Sequence, residues 1–218
     1  MEPAQIAALL RPYANVPKKL INHISIYIDI LVKWNSKISL TSVRDSQGIV
    51  SRHFGESFFL AEKLVGSNWQ GTVADVGSGA GFPGVPVAMY CPTADVTLIE
   101  SQGKKAAFLN EVIYALKLKN ARVFRGRAEE FSGQVDLVTL RAVEKFEEAL
   151  GIALDLVRPG GRIGLMIGRI QVGPAKHLAG HFDWEQPLKV PGSESRVLLA
   201  GTKIVTVHQI SKGGAAPR

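Results

Sequence analysis

Between Pro17 and Trp34 the apolar residues Leu20, Ile21, Ile24, Ile28, Leu31 and Val32 recur at three- and four-residue intervals, the period of one helix face. A second helical stretch is predicted from about Ser46 to Leu64, so residues 1–70 read as an N-terminal helical cap. From Gly71 the pattern changes. Short apolar runs suited to buried strands fall near 72–76, 95–100, 121–125, 135–140 and 162–167, with helical segments near 83–90, 103–117 and 145–157 between them. That alternation predicts an α/β domain over residues 71–210, with a parallel sheet and helices on both faces. Its end differs. Residues 182–190 and 196–207 read as two strands around a turn at Pro191-Gly192-Ser193, with no helix between, and are expected to pair antiparallel. The tail 211–218 is expected to be disordered.

The sharpest local signal is Val73-Ala74-Asp75-Val76-Gly77-Ser78-Gly79-Ala80-Gly81-Phe82-Pro83-Gly84. An apolar run ends in an acid, four glycines follow within eight residues, and a helix begins. Glycines there let the backbone turn sharply and approach a ligand. The next strand, Val96-Thr97-Leu98-Ile99, ends at Glu100, where an acid suits the two hydroxyls of a ribose. Together these predict a nucleoside-containing cofactor in a Rossmann-like βαβ unit. The glycines alone leave its identity open. Gly79-x-Gly81-x-x-Gly84 fits the dinucleotide pattern, and Asp75-x-Gly77-x-Gly79 fits that of S-adenosylmethionine enzymes, in which the acid helps position the amino-acid part. The closing hairpin favours the second, since most dinucleotide folds lack one. A glycine turn with no ligand is the bland alternative.

Composition narrows the setting. One cysteine, Cys91, excludes an internal disulfide framework and fits a reducing compartment. Asp29 and Lys33 interrupt the best candidate for a membrane span, and no secretory signal opens the chain, so a cytoplasmic protein is expected, without a membrane partner. The net charge of +7 favours a polyanionic partner, although such an excess also serves as a plain solvated surface. His23, His53, His177, His181 and His208 have no ligand spacing with one another or with Cys91, so no metal is expected.

A methyl acceptor would sit beyond the fourth strand, which ends Val138-Thr139-Leu140-Arg141-Ala142. The Asn/Asp-Pro-Pro-aromatic sequence common in exocyclic-amine methylation is absent there, and Cys91 lies in the wrong place to be a nucleophile for pyrimidine carbon 5. Arg141 offers a fixed cation with several donors. Nitrogen 7 of guanine already has an exposed lone pair, so its methylation needs alignment rather than a base.

At this point the chain resembles the bacterial ribosomal RNA small subunit methyltransferase G family. The matching pieces are Trp34-Asn35, Leu40 to Asp45, Arg52 to Ser57, Asp75 to Gly84, Arg127 to Glu130 and Arg141-Ala142, in collinear order over roughly residues 30 to 165. The resemblance implies a class I methyltransferase fold, with a mostly parallel seven-stranded sheet and an antiparallel last strand. It implies methyl transfer from S-adenosylmethionine to N7 of one guanine in the 530 loop of 16S rRNA. By motif it places Gly77 and Phe82 along the methionine and ribose of the cofactor, Ala128 and Glu129 by the adenine, and Arg141 at the methyl-transfer pocket. Asn35, Arg44 and His53 belong to the cap facing that pocket, and packing between cap and core is an equal reading for His53. Relatives often end the fifth strand with Lys-Gly. This chain has Ile167-Gly168-Arg169, so either Arg169 takes over the lysine's contact with RNA or the contact is absent. Arg44, Arg52, Arg125, Arg127 and Lys145 are further expected to form a basic rim for 16S rRNA or the small ribosomal subunit, bound by a monomer. A nicotinamide-dependent oxidoreductase and a non-catalytic RNA-binding protein on the same fold are the rival readings.

Overall fold

The computed structural model describes residues 1–143 and 145–205. The predicted tail 211–218 and the last two residues of the predicted strand 196–207 lie outside them.

The helical N-terminal layer has α1 (Pro3–Leu10), α2 (Lys18–Asn35), the single turn α3 (Ser46–Gly48) and α4 (Glu56–Leu64). A π-helical turn, Ile49–Gly55, stands between α3 and α4, so the continuous helix expected over 46–64 is underwound in its middle. Seven strands then form one path, β3 (Ala121–Arg125), β2 (Ala94–Glu100), β1 (Gly71–Val76), β4 (Val135–Arg141), β5 (Val157–Gly168), β8 (Arg196–Lys203) and β6 (Phe182–Trp184). The two-residue β7 (Leu188–Lys189) also pairs with β8. The first five are parallel, and β8 runs antiparallel to β5 and β6. The expected strand over 182–190 is thus broken into β6 and β7, both on β8. Between the strands lie α5 (Gly84–Tyr90), α6 (Gly103–Ala115), α7 (Phe146–Asp155) and α8 (Val172–Leu178). The last was not legible as a helix, being one short segment with Pro174 inside it.

Each face of the sheet has its own core, as side chains of buried strands alternate between two helical layers. One face packs Val73, Val96, Leu98 and Leu137 against α5, α6 and the N-terminal helices, with Tyr27, Phe54, Phe58 and Phe108 fully buried among them. The other packs Ala74, Val76, Val138 and Leu140 against α7 and α8 through Leu150, Leu154 and Ala175. The N-terminal helices therefore join α5 and α6 on one face of the sheet and share its core. Trp34 of α2 donates to Glu111 of α6 at 2.8 Å, and the Tyr27 hydroxyl donates to the Ala80 carbonyl of the glycine turn at 2.6 Å.

Parallel pairing brings the carboxyl ends of β1, β2, β4 and β5 to one edge. Asp75 pairs with Thr139, and Arg141 with Met166. Because β8 is antiparallel, its first residue, Arg196, reaches the same edge opposite Gly168. That edge is where open α/β sheets bind ligands.

The turn after β1 is set by its glycines. Gly77, Gly79 and Gly81 have φ of +67°, +55° and +83°, which L side chains rarely adopt. At Gly81 a Cβ would also run into the Tyr27 hydroxyl and Val85. Gly66 has a similar φ of +69° and nothing around it. Gly81→Ala should therefore lower the unfolding free energy by clearly more than Gly66→Ala, whose cost is only the roughly 1–2 kcal/mol of a left-handed residue. Urea denaturation of both variants makes the comparison, and equal losses would mean that the Tyr27 contact yields freely.

Candidate cofactor and acceptor site

A cavity of about 500 Å³ opens at this edge between the glycine turn and the N-terminal layer. Gly77 to Ala80 and Phe82 form one wall, Glu100 to Gln102 the next, Leu40 to Val43 with Arg52 and His53 a third, and Arg141 to Val143 the last. Its size lies within the usual ligand-pocket range.

Glu100 is buried at the end of β2, and each carboxylate oxygen accepts one internal N–H. Oε2 takes Gly79 N–H at 2.9 Å, and Oε1 takes Gln102 N–H at 2.7 Å. Each oxygen keeps acceptor capacity for a ligand hydroxyl. The nearest atom to a Cβ built on Gly79 is 3.7 Å away, so the turn leaves the space beside it to a ligand. Donor-hungry carboxylate, bare backbone and cavity size fit the ribose of a nucleoside cofactor such as S-adenosylmethionine.

Asp75 does not line the cavity. It is buried beneath the turn, where Oδ1 accepts from the Thr139 hydroxyl at 2.7 Å and Oδ2 from Gly84 N–H at 3.1 Å. Burial raises its pKa to about 6, against the opposing effect of those bonds. It shapes the turn and the start of α5 from behind, so any effect on a ligand passes through the backbone. Phe82 is clamped between two rings, stacked on Tyr27 at 5.2 Å and on His53 at 4.9 Å between centroids.

His53, on the π-helical turn, is one of a chain of contacts. Its Nε2 lies 2.7 Å from Thr41 Oγ1, and its Nδ1 lies 3.3 Å from Arg141 Nη1. An arginine only donates, so Nδ1 accepts and Nε2–H donates to Thr41. Burial, then the charges of Arg141, Arg52 and Arg196, push its pKa down to about 3, which keeps the ring neutral. Asn35 holds the segment carrying Thr41, since its Oδ1 accepts the N–H groups of Leu40 and Thr41 and its Nδ2 donates to the Thr41 carbonyl.

Sequence reasoning missed the group that organises Arg141. Glu56, at the start of α4, is only 1% exposed. Its Oε2 accepts from Arg141 Nη2 at 3.0 Å, and its Oε1 from Arg196 Nε at 2.9 Å and Nη2 at 2.6 Å. Arg141 Nη2 also donates to the Arg52 carbonyl at 2.8 Å. Glu56 lay inside a recognised motif, but only the fold reveals that two arginines from distant strands converge on it.

The remaining expected residues stand further out. Arg44, Arg125, Arg127, Lys145 and Arg169 are exposed, with Lys145 paired to Glu148 at 3.2 Å. Ala128 and Glu129 form a short 3₁₀ turn after β3 and do not line the cavity; the turn begins just beyond Gly126, whose N–H donates to the Glu100 carbonyl at 3.2 Å. Among the described residues no cluster suits a metal ion, and no helix is long and apolar enough to cross a membrane.

A glycine turn facing an acid-tipped second strand, on a sheet closed by an antiparallel strand, defines a class I methyltransferase fold. Solved structures agree. P. horikoshii TYW2 in complex with MeSAdo matches with a TM-score of 0.59 at 21% identity over 76% of this chain and 67% of that one. M. jannaschii TYW2 in complex with AdoMet matches at 0.56 and 19%, over 74% and 78%. Residues 20–183 match the family described as rRNA small subunit methyltransferase G. The protein of that name from Chloroflexus aggregans is 38% identical over 194 residues, 82% of this chain and 79% of its own. That from Xanthomonas campestris pv. campestris is 37% identical over 190 residues, 84% of each. The chain belongs to the rRNA small subunit methyltransferase G family, which sets aside the oxidoreductase reading.

The depressed pKa of His53 makes a stability prediction. Its folded value, about 3, lies below its unfolded value of 6.5. The stability it contributes is therefore full above pH 6.5 and is lost as pH falls toward 3. Asp75 acts in the opposite sense, because its folded value of about 6 exceeds its unfolded 3.8, so its contribution grows as pH falls from 6 to 4. Comparison with His53→Gln isolates the histidine. In urea unfolding, the gap between wild type and variant should narrow by about 1 kcal/mol from pH 7.5 to 5.5. A constant gap would mean that His53 titrates normally in the folded protein.

Proposed function

We infer that this protein transfers a methyl group from S-adenosylmethionine to N7 of a guanine in the 530 loop of 16S rRNA, acting as a cytoplasmic monomer on the small ribosomal subunit or its RNA. The observation that carries this is Arg141: a largely buried arginine beside the cofactor cavity, at the acceptor end of β4, with no ionisable base among the described residues able to serve the acceptor next to it. Family membership supplies the RNA.

The bound cofactor supplies an electrophilic methyl on a sulfonium. The chain's own residues hold and orient. Glu100 accepts the ribose hydroxyls, Gly77 and Gly79 admit the cofactor against the backbone, and Phe82 fixes the wall below it. Arg141 commits three donors, to Glu56, Arg52 and His53, and keeps its Nε–H and one Nη1–H among the described contacts. Those two are available to guanine or its flanking phosphate. N7 is nucleophilic in neutral guanine, so no residue need remove a proton. His53 suits a site of that kind, since a ring held neutral down to about pH 3 does not exchange protons near neutrality. The exposed Arg44, Arg52, Arg125, Arg127 and Arg169 suit contacts with the phosphate backbone.

Mapping 7-methylguanosine in 16S rRNA, with and without the protein, tests the reading directly. Finding no added modification would refute it, and RNA binding without transfer would point to a non-catalytic member. Glu100→Ala should weaken S-adenosylmethionine binding by roughly 1–3 kcal/mol in calorimetry through the lost ribose contacts.

Arg141→Ala should cut single-turnover methyl transfer by about 100-fold, as misplacement of an acceptor does, while cofactor affinity falls far less. Arg141→Lys should rescue little, because a point charge cannot bond Glu56, Arg52 and His53 together. The wild-type chemical step should be nearly independent of pH from about 6.5 to 8. A rate that climbs steadily with pH across that interval would show a titrating base and end this mechanism.

A further inference from the structure

A second, smaller cavity of about 220 Å³ adjoins the first and shares Arg52, Arg141, Ala142 and Val143 with it. It lies over the ends of β4 and β5 at the start of β8. Leu140, Val143, Phe146, Met166 and Ile167 give it an apolar lining. At about 30 Å³ for each water it has room for roughly seven, a volume on the order of a single purine base.

Among the described residues its polar side chains are mostly donors. Arg52, Arg141 and Arg196 can only donate. Gln171 is the one described side chain that brings an acceptor, and its Oε1 already takes the Gly168 N–H at 2.9 Å, while its NH₂ group adds two donors. Arg196 is anchored through Nε and Nη2 to the buried carboxylate of Glu56, and its Nη1 is uncommitted among the described contacts. A largely apolar slot whose described side chains are mostly donors favours a base with a carbonyl at its edge. Guanine and hypoxanthine have O6 there. Adenine has an amino group, which would bring donor against donor.

Resting on the methyl-transfer reading above, we propose that this cavity takes the unstacked acceptor base, and that Arg196, oriented by Glu56, determines that the base is a 6-oxopurine. The cavity meets the cofactor site at Arg141, so a base seated in it lies next to the methyl donor. Taking one base out of an RNA loop costs little compared with a duplex, because the loop is already partly unpaired.

The test uses GMP, IMP and AMP as probes, observed by saturation-transfer NMR on the full chain with S-adenosylhomocysteine present. GMP and IMP should bind alike, and AMP about tenfold or more weakly, the loss expected for one charge-assisted hydrogen bond. Arg196→Ala should erase the preference for GMP over AMP while S-adenosylhomocysteine affinity stays at its wild-type value. Gly168 has ordinary backbone angles, and a Cβ there would meet nothing closer than 3.5 Å. Gly168→Phe should therefore fill the slot and abolish GMP binding without loss of folding. It keeps the proposal testable should Arg196→Ala unfold. No GMP binding by the wild type, equal binding of AMP, an unchanged preference in Arg196→Ala, or full GMP binding by Gly168→Phe would each overturn it. The parallel measurement of methyl transfer to small subunits separates the two claims. Selective GMP binding without transfer removes the proposed activity and leaves the pocket, and transfer by a protein with no base preference removes the pocket and leaves the activity.

Discussion

Much of this site depends on one buried carboxylate. Glu56 comes from the N-terminal helical layer, Arg141 from the end of β4 and Arg196 from the start of β8, and the three meet where the sheet presents its ligand edge. A carboxylate buried this deeply is unfavourable unless charge and hydrogen bonds compensate it. Two arginines supply both. The pairing also runs the other way, because Arg141 and Arg196 sit close together and would repel without a negative charge between them. Removing one partner of such an arrangement typically costs about 3–5 kcal/mol. The ion cluster thus ties three distant segments to one geometry, and what it fixes are the donors that face an acceptor.

The N-terminal helices gain meaning from this. They cover one face of the sheet as a helical layer of any α/β fold would, and they also reach over the ligand edge. Asn35 folds the segment that presents Thr41, the Thr41 hydroxyl accepts a hydrogen bond from His53 Nε2–H, and His53 Nδ1 accepts from Arg141. Phe82 of the glycine turn is stacked between Tyr27 and His53. The cofactor wall and the acceptor arginine therefore rest on the same two N-terminal elements, α2 and the π-helical turn. A π turn places Arg52 and His53 differently from a regular helix, and such turns are frequent at functional sites.

The fold was largely legible because its signals are local. Buried parallel strands read as short apolar runs, Glu100 ends one of them, and the glycine turn needs glycines for its positive φ angles. The less legible parts are those in which partners are distant or elements short. The π turn has no distinct periodicity, and α8 is too brief to show one. Asp75 looked like a ligand contact from its place in the motif, yet the register of β1 with β4 turns it toward Thr139 and Gly84 instead. His53 lines the cavity and packs between cap and core at once, whereas Asn35 is absent from the cavity's walls and holds the Leu40–Thr41 segment from behind. Glu56 and Arg196 are 140 residues apart, and nothing in the chain announces that they touch.

The electrostatics of the edge follow from these placements. Three arginines stand where the two cavities meet, and among the described residues the negative charge between them, Glu56, is engaged on both oxygens. The histidine is held neutral first by burial and then by the same arginines that would align a guanine, so a closed site rich in fixed positive charge suppresses its own candidate base. For an acceptor that must lose a proton, that would be a defect. For a nitrogen with a free lone pair it is an advantage, since the field that draws in RNA phosphate and orients a carbonyl edge does not compete with any proton transfer. The lack of an available base among the described residues and the abundance of arginine are thus linked, since Glu56 is held by arginines from the end of β4 and the start of β8 at the same edge.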